Sequence, residues 1–420
     1  MIYILIFLVL IQLFLLTRNL KYYFLSPVYI YVLFSGISIL ISVLYFYYYD
    51  DKYNMFRLDE VSNEDFINTI EWYLIALNSF IFGFLLYHNF SLRATRNLLR
   101  KPFNESLFFN LKLPENIVTI VSGLFFTIVL LYFVSYGTSL FYRDQYLPKE
   151  NVKALIVLIK LLSLVQVILL GIIYDKNKLL SITYFFIMFL LSIGTGSRTV
   201  ILTLLLYFIL IFISKGNTLK NKITFFINIF LTFIFLGYLM NFRSQEAHGI
   251  LPYIESIFTS ERQRDSFFNV YYSLIFGVFV TIRTLKDALP DWHVIYVSLN
   301  PLPGSMVGWY DIASDMRINR YAPFSLHGRV FKMGFLFTFC YFIFTGLIYS
   351  FFERLMRSYL NIGNKWVPFI LVILLTLHIV YGFEYNMRSS VRYLYYSFAF
   401  VVLVVVANKV YNSLIKPIEK

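Results

Sequence analysis

The sequence predicts an all-α fold, a polytopic integral membrane helical bundle of about eleven transmembrane helices with one long external loop. Three observations predict it. The 420 residues are 59% hydrophobic and only 14% charged, with a mean hydropathy of +0.70. That is too little charge to cover the surface of a soluble protein of this length. Apolar runs of roughly 20 residues, the length that crosses a ~30 Å hydrocarbon core, recur along the chain. The segments between them alternate between basic and acidic or mixed.

Taken in order, the runs lie at 1–16, 25–48, 67–89, 117–136, 154–174, 179–194, 199–214, 223–242, 334–352, 366–385 and 393–408. The first, MIYILIFLVLIQLFLL, has no basic residue before it and is followed by Arg18 and Lys21. A signal peptide has the reverse charge order, so this run is expected to be a retained helix that starts outside. No internal repeat or low-complexity linker interrupts residues 1–420, which read as a single membrane domain containing the long loop 243–333.

The connecting segments set the expected orientation. Arg18 and Lys21, then Arg93, Arg96, Arg100, Lys101 and Lys112, then Lys176 and Lys178 mark alternate loops. Lys215, Lys220 and Lys222, then Arg354, Arg357 and Lys365, then Lys409, Lys416 and Lys420 continue the series. The intervening loops include 50–66, with Asp50, Asp51, Asp59, Glu60, Glu64 and Asp65. The positive-inside bias then gives an N-terminus outside and a C-terminus in the cytoplasm. Trp72 and Trp366 fall near the ends of runs, where indoles prefer to sit. Within the long loop, residues 271–285 are apolar but too short to span, and are expected to lie in the interface or re-enter the bundle.

Several function classes are disfavoured. The net charge of +13 is dispersed without a long basic run, so no nucleic-acid partner is expected. There is no Walker loop, strand-associated glycine fingerprint, HExxH or paired CxxC, and the one cysteine, Cys340, sits in an apolar run. Neither a metal site nor a cofactor is expected.

The outer side nevertheless carries many arginines: Arg143, Arg198, Arg243, Arg262, Arg264, Arg283, Arg317, Arg320, Arg329, Arg388 and Arg392. The orientation bias disfavours them there, so they ask for a reason. Guanidinium groups match phosphate oxygens bidentately, which makes a lipid pyrophosphate the natural partner; the alternative is pairing with the eight carboxylates between Arg243 and Met333.

The sharpest pattern is Gly194-Thr195-Gly196-Ser197-Arg198-Thr199, expected to close a helical hairpin on the outer side and open the next helix. The free N–H groups at that helix start, with Gly196, Ser197, Thr199 and Arg198, would suit an anion. A glycine turn with Arg198 reaching to water is the plainer alternative. Glu71, Lys160, His378 and Glu384 fall in the outer halves of their runs and hint at a polar cavity there. In the stretch Ala322-Pro323-Phe324-Ser325-Leu326-His327-Gly328-Arg329, His327 is a candidate general base and Arg329 a candidate charge neutraliser.

The run count with one late external loop, the GTGSRT turn and the APFSLHGRVFKMG stretch together resemble the Wzy-type O-antigen polymerases, which polymerise oligosaccharide repeat units of bacterial surface polysaccharides. Where many members carry an acidic residue after the glycine, this chain has Arg329. The resemblance implies a glycosyltransferase that moves a growing glycan from undecaprenyl pyrophosphate onto a fresh lipid-linked repeat unit, without a metal, at the outer face of the bacterial cytoplasmic membrane. It implies as partners the undecaprenyl-pyrophosphate-linked glycans, membrane lipids and a chain-length regulator. On this basis Arg198 and Arg143 would bind pyrophosphate, Arg243 and Arg329 would add charge, and His327 or Glu71 would be the base. An O-antigen ligase has a similar architecture. A lipid-linked oligosaccharide flippase would be expected to show two related halves and short loops. An enzyme of the mannosyltransferase type with a metal-assisting acidic pair would use Asp50 and Asp51.

Overall fold

The computed structural model describes residues 1–23, 25–48, 61–101, 115–145, 148, 152–196, 199–215, 218–241, 246–258, 277–318, 323–384 and 386–415. Every named element is helical. They are α1 (Ile2–Asn19), α2 (Pro27–Tyr48), α3 (Asn63–Phe90), α4 (Arg93–Arg100), α5 (Ile117–Tyr136), α6 (Lys153–Ile173), α7 (Lys178–Gly194), α8 (Thr199–Lys215) and α9 (Leu219–Asn241). After α10 (Ile250–Phe258) comes α11, over 277–287. The series ends with α12 (Trp292–Leu299), α13 (Trp309–Ile312), α14 (Leu326–Lys332), α15 (Phe335–Asn361), α16 (Trp366–Glu384) and α17 (Met387–Ile415).

Each of the eleven apolar runs is a helix. Among the described residues, seven stretches are long and apolar enough to cross a membrane, namely α1, α2, α3, Ile117–Leu140, α15, Trp366–Phe383 and Met387–Lys409. Shorter apolar helices lie within α6, α7 and α8. This is a multi-pass membrane helical bundle. Helices outlast their apolar runs where polar residues keep helical geometry. α3 starts four residues before its run because Ser62 accepts from the Asp65 N–H at 3.0 Å, while the Asp65 carboxylate accepts from the Ser62 N–H.

The chain divides into two compact units, one of Met1–Asn104 with Leu274–Lys420 and one of Glu105–Ser273. The first is built around α3 and α15, whose backbones touch. A Cβ on Gly83 would overlap the carbonyl of Ile343, and one on Gly346 the carbonyl of Phe80. Small residues at a helix crossing let dispersion and main-chain contact hold helices together where lipid offers no hydrophobic drive. Tyr31 of α2 stacks on Phe80, with ring centroids 3.9 Å apart.

At another place in this unit, Arg357 of α15 pairs with Glu353 at 2.8 Å. Its guanidinium also donates to the carbonyls of Leu99 and Lys21 and lies over the ring of Tyr23. Glu353 accepts from Ser26 at 2.7 Å. The pair is fully buried, so its desolvation is offset only because these bonds complete it. It fastens the α1–α2 connection and α4 to α15.

Residues 271–276 of the apolar stretch in the long loop lie outside the described residues; the rest forms α11. Val278 to Ile282 are buried, and Gly277 sits where a Cβ would overlap the carbonyl of Phe383. Within the loop, α11 to α14 form a folded layer of the first unit.

The second unit packs α5 to α10. Phe125 stacks on Tyr184 at 3.9 Å and Phe185 on Tyr207 at 3.8 Å. Ser181 donates to the Leu170 carbonyl at 2.7 Å, which satisfies a polar group among apolar helices.

Candidate functional site

In the second unit, three segments meet at the end of α7. The chain leaves α7 through Gly196, whose φ of 68° is the left-handed conformation that ends a helix without a Cβ clash. The Thr195 N–H donates to Ser192 and the Gly196 N–H to Ile193 at 2.8 Å, tightening the last turn. Residues 139–143 lie beside this end: a Cβ on Gly194 would come within 2.9 Å of the Leu140 carbonyl and of Ile250. Arg143 and His248 exchange both main-chain bonds, at 2.8 and 2.7 Å.

The Arg143 side chain is buried and donates to the Gly194 carbonyl at 2.6 Å and the Ser139 carbonyl at 2.9 Å. A guanidinium at the carbonyl end of α7 complements the negative pole of that helix. His248 completes the corner, with Nδ1 3.1 Å from the Tyr253 hydroxyl. Arg143 and Gly196 therefore come together at the turn. Ser197, Arg198 and Arg243 lie outside the described residues, as do Arg262, Arg264 and Arg320. Lys160 is exposed, the placement expected of a lysine whose stem covers apolar surface while its head reaches water.

In the first unit, the APFSLHGRVFKMG segment forms α14. Ser325 caps it by accepting from the Gly328 N–H at 2.9 Å, and its hydroxyl lies 2.8 Å from that of Thr281. Gly328 is required because a Cβ would overlap Thr284. His327 is buried among Tyr73, Phe331, Phe342 and Phe383, with the Phe383 ring centroid at 4.4 Å. Its Nδ1 donates to the Gly382 carbonyl at 3.0 Å. Burial pushes its pKa down to about 4, so the imidazole is neutral at physiological pH. Arg329 donates to the Leu289 carbonyl at 3.1 Å and to the sulfur of Met316, and lies over the Phe324 ring.

Among the other arginines that the sequence assigns to the outer side as an expectation, Arg388 donates to the carbonyls of Val297, Asn300 and Leu302, and Arg283 lies 3.3 Å from Asp287. Glu71 of α3 is partly buried, 3.9 Å from the amino group of Met1. His378 is buried, with Nδ1 2.8 Å from the Tyr349 hydroxyl. Among the described residues, no cluster of three His, Cys, Asp or Glu side chains is arranged to hold a metal ion.

No sequence pattern marks Tyr73, Thr281 or Tyr349, nor the His248–Tyr253 pair beside the turn. These residues acquire their polar partners only across long separations or corners. Hydroxyls inside apolar helical runs were the one hint available.

The family model for O-antigen polysaccharide polymerase Wzy matches residues 1–267. The chain belongs to this family. Membership implies polymerisation of O-antigen repeat units by a multi-pass protein of the bacterial inner membrane, acting on lipid-linked repeat units. The match includes the turn at Gly194–Thr199 and ends before α11, so the polymerase signature does not draw on α14. No curated protein and no solved structure matches the chain.

Proposed function

We propose that the chain polymerises undecaprenyl-pyrophosphate-linked oligosaccharide repeat units at the outer face of the cytoplasmic membrane, with its N-terminus outside and its C-terminus inside. The observation that carries this reading is the α7–α8 turn, which lies inside the matched stretch and is anchored by Arg143 through the Gly194 carbonyl.

The start of α8 presents main-chain N–H groups and the positive pole of its dipole. Arg198 and Ser197 are its immediate neighbours in sequence, and a guanidinium fork suits a diphosphate. In this account Arg198, Ser197, Gly196 and Arg243 hold the pyrophosphate of the donor. Arg143 is a positioning residue that fixes the turn. Attack of a sugar hydroxyl on the anomeric carbon breaks the bond to pyrophosphate, and the charge that develops on the leaving oxygen is stabilised by these donors.

The test is complementation of a strain lacking the gene. Wild-type chain restores the ladder of glycan lengths. A product limited to one repeat unit on its acceptor, with no ladder at matched protein level, would remove the polymerase reading and favour a ligase. Reporters fused after Arg100 and Lys222 are expected to read cytoplasmic, and those within 50–66 and 243–333 external; the opposite signal at Lys222 would break the orientation.

A further inference from the structure

The short helix α4, Arg93-Ala94-Thr95-Arg96-Asn97-Leu98-Leu99-Arg100, is tied at both ends to places where long helices stop. Only Ser91 and Leu92 separate its start from the end of α3 at Phe90. At its other end, the Leu99 carbonyl accepts from the Lys21 N–H at 3.0 Å and from Arg357, in the last turns of α15, at 3.2 Å. Arg100 donates to Asn19, the last residue of α1, at 2.8 Å. Because α1, α3 and α15 are all long apolar spans, α4 lies along the boundary where they leave the hydrocarbon layer.

The faces of α4 differ. Thr95 and Leu99 are buried. Arg93, Arg96 and Arg100 are three and four residues apart, so at 3.6 residues per turn they fall within about 60° of one another, turned away from the buried pair. Arg93 and Arg100 are exposed and Arg96 is half-buried; Arg18, in the last turn of α1, and Lys21 are exposed at the same end of the unit. Among the described residues, none of these five cations pairs with a carboxylate. Large apolar side chains sit beside them: Phe90 and Leu92 just before Arg93, and Tyr22 just after Lys21, are all exposed. Water suits the charges and not the apolar neighbours. A bilayer surface suits both, with guanidinium groups among the phosphates and apolar side chains at the top of the acyl layer.

We propose that α4 and the end of α1 form a docking surface for the headgroups of anionic phospholipids. The argument is charge complementarity: each lysine or arginine held near an anionic membrane surface adds to the attraction, and a guanidinium fork matches the oxygens of a phosphodiester. A zwitterionic headgroup brings its own cation, which repels the same arginines, so the preference is for net negative lipid. Lipid held there touches the ends of α1 and α3. The inference holds for either orientation of the chain in the membrane and is independent of the polymerase reading.

The test places the full chain in nanodiscs of phosphatidylcholine with a minor share of phosphatidylglycerol. Native mass spectrometry then counts the lipids that stay with the released protein. Wild type should retain phosphatidylglycerol well above its share of the disc. Arg93→Gln/Arg96→Gln should lower that retention about five-fold or more. Neither side chain has a hydrogen-bond partner among the described residues, so the fold should be kept. Lys178→Gln/Lys220→Gln removes the same charge from two other exposed positions and should leave the retention unchanged. Wild type that carries phosphatidylglycerol only at its share of the disc overturns the proposal. So does full retention in the arginine variant, or an equal loss in the lysine variant, which would mean diffuse charge and no docking surface. Should the double arginine variant fail to fold, Arg93→Gln alone should still lower retention about two-fold or more, and an unchanged count there overturns the proposal as well.

Discussion

The α7–α8 turn of one unit and the α14 segment of the other each gather glycine, serine and arginine into a few residues, and they use them differently. At the turn, glycine serves backbone conformation, and the neighbouring Arg143 braces a main-chain carbonyl at 2.6 Å. The next helix then starts with its N–H groups unpaired within the helix, as every α-helix start does. In α14, glycine serves packing, serine caps the helix, and His327 and Arg329 both point into the core and bond carbonyls. A side chain that already satisfies a buried carbonyl cannot turn to a substrate without leaving that carbonyl unpaired, a cost of about 1–3 kcal/mol. The described residues of the turn end α7 and brace its last carbonyls, whereas those of α14 hold helices together.

Arg198→Ala gives the largest expected effect. Long-chain glycan should be lost at unchanged protein abundance, while Arg198→Lys should restore only part of it, because the bidentate fork is missing. Full-length ladders from Arg198→Ala would erase the assignment of chemistry to the turn.

Gly328→Ala should act on folding instead. Its Cβ would overlap Thr284, which is bonded to the Ser325 N–H at 3.1 Å and has no room to yield. Overpacking of this kind destabilises by about 1–3 kcal/mol, so the amount of folded protein should fall while activity per folded molecule is kept. Thermal unfolding and protein-normalised ladders separate the two quantities.

Arg143→Ala tests the brace. Losing the donor to Gly194 and Ser139 should slow polymerisation by roughly ten-fold, about 1.4 kcal/mol, with the fold retained. An unchanged rate would mean the turn needs no bracing.

The smallest expected effect is at His327. Its pKa of about 4 in the fold lies below the ordinary 6.5, so between these values the unfolded chain binds the extra proton. Its neutral burial therefore favours the fold fully above pH 6.5, and that contribution is lost as pH falls toward about 4. Melting temperature should drop over this window, and His327→Gln, which does not titrate, should flatten the drop while leaving polymerisation near wild type. A rate loss of ~10²-fold or more in His327→Gln would instead point to a general base.

The helices were legible because a membrane helix satisfies its backbone within its own sequence, so each apolar run could be read alone; the ends of α3 and α15 ran further because capping and polar helical turns carry no hydropathy signal. The glycine of the α7–α8 turn was legible for the same local reason. The surroundings of His327 were not. Tyr73 meets Thr281 across 208 positions, and His327 meets Gly382 across 55. An exposed loop histidine and a core histidine look alike until those partners are placed. The arginines stand out in the sequence, but carbonyl partners such as those of Leu289 and Val297 leave no trace in side-chain sequence.

The proposed reaction transfers glycan from one lipid pyrophosphate to another lipid-linked repeat unit. Its most direct test is purified protein in proteoliposomes, supplied with repeat units on undecaprenyl pyrophosphate and sampled over time for glycan length and released lipid pyrophosphate. The expected result is a growing ladder with one lipid pyrophosphate released per repeat added, undiminished by a metal chelator and abolished by Arg198→Ala. Repeat units that stay at their starting length, with no lipid pyrophosphate released, would contradict it.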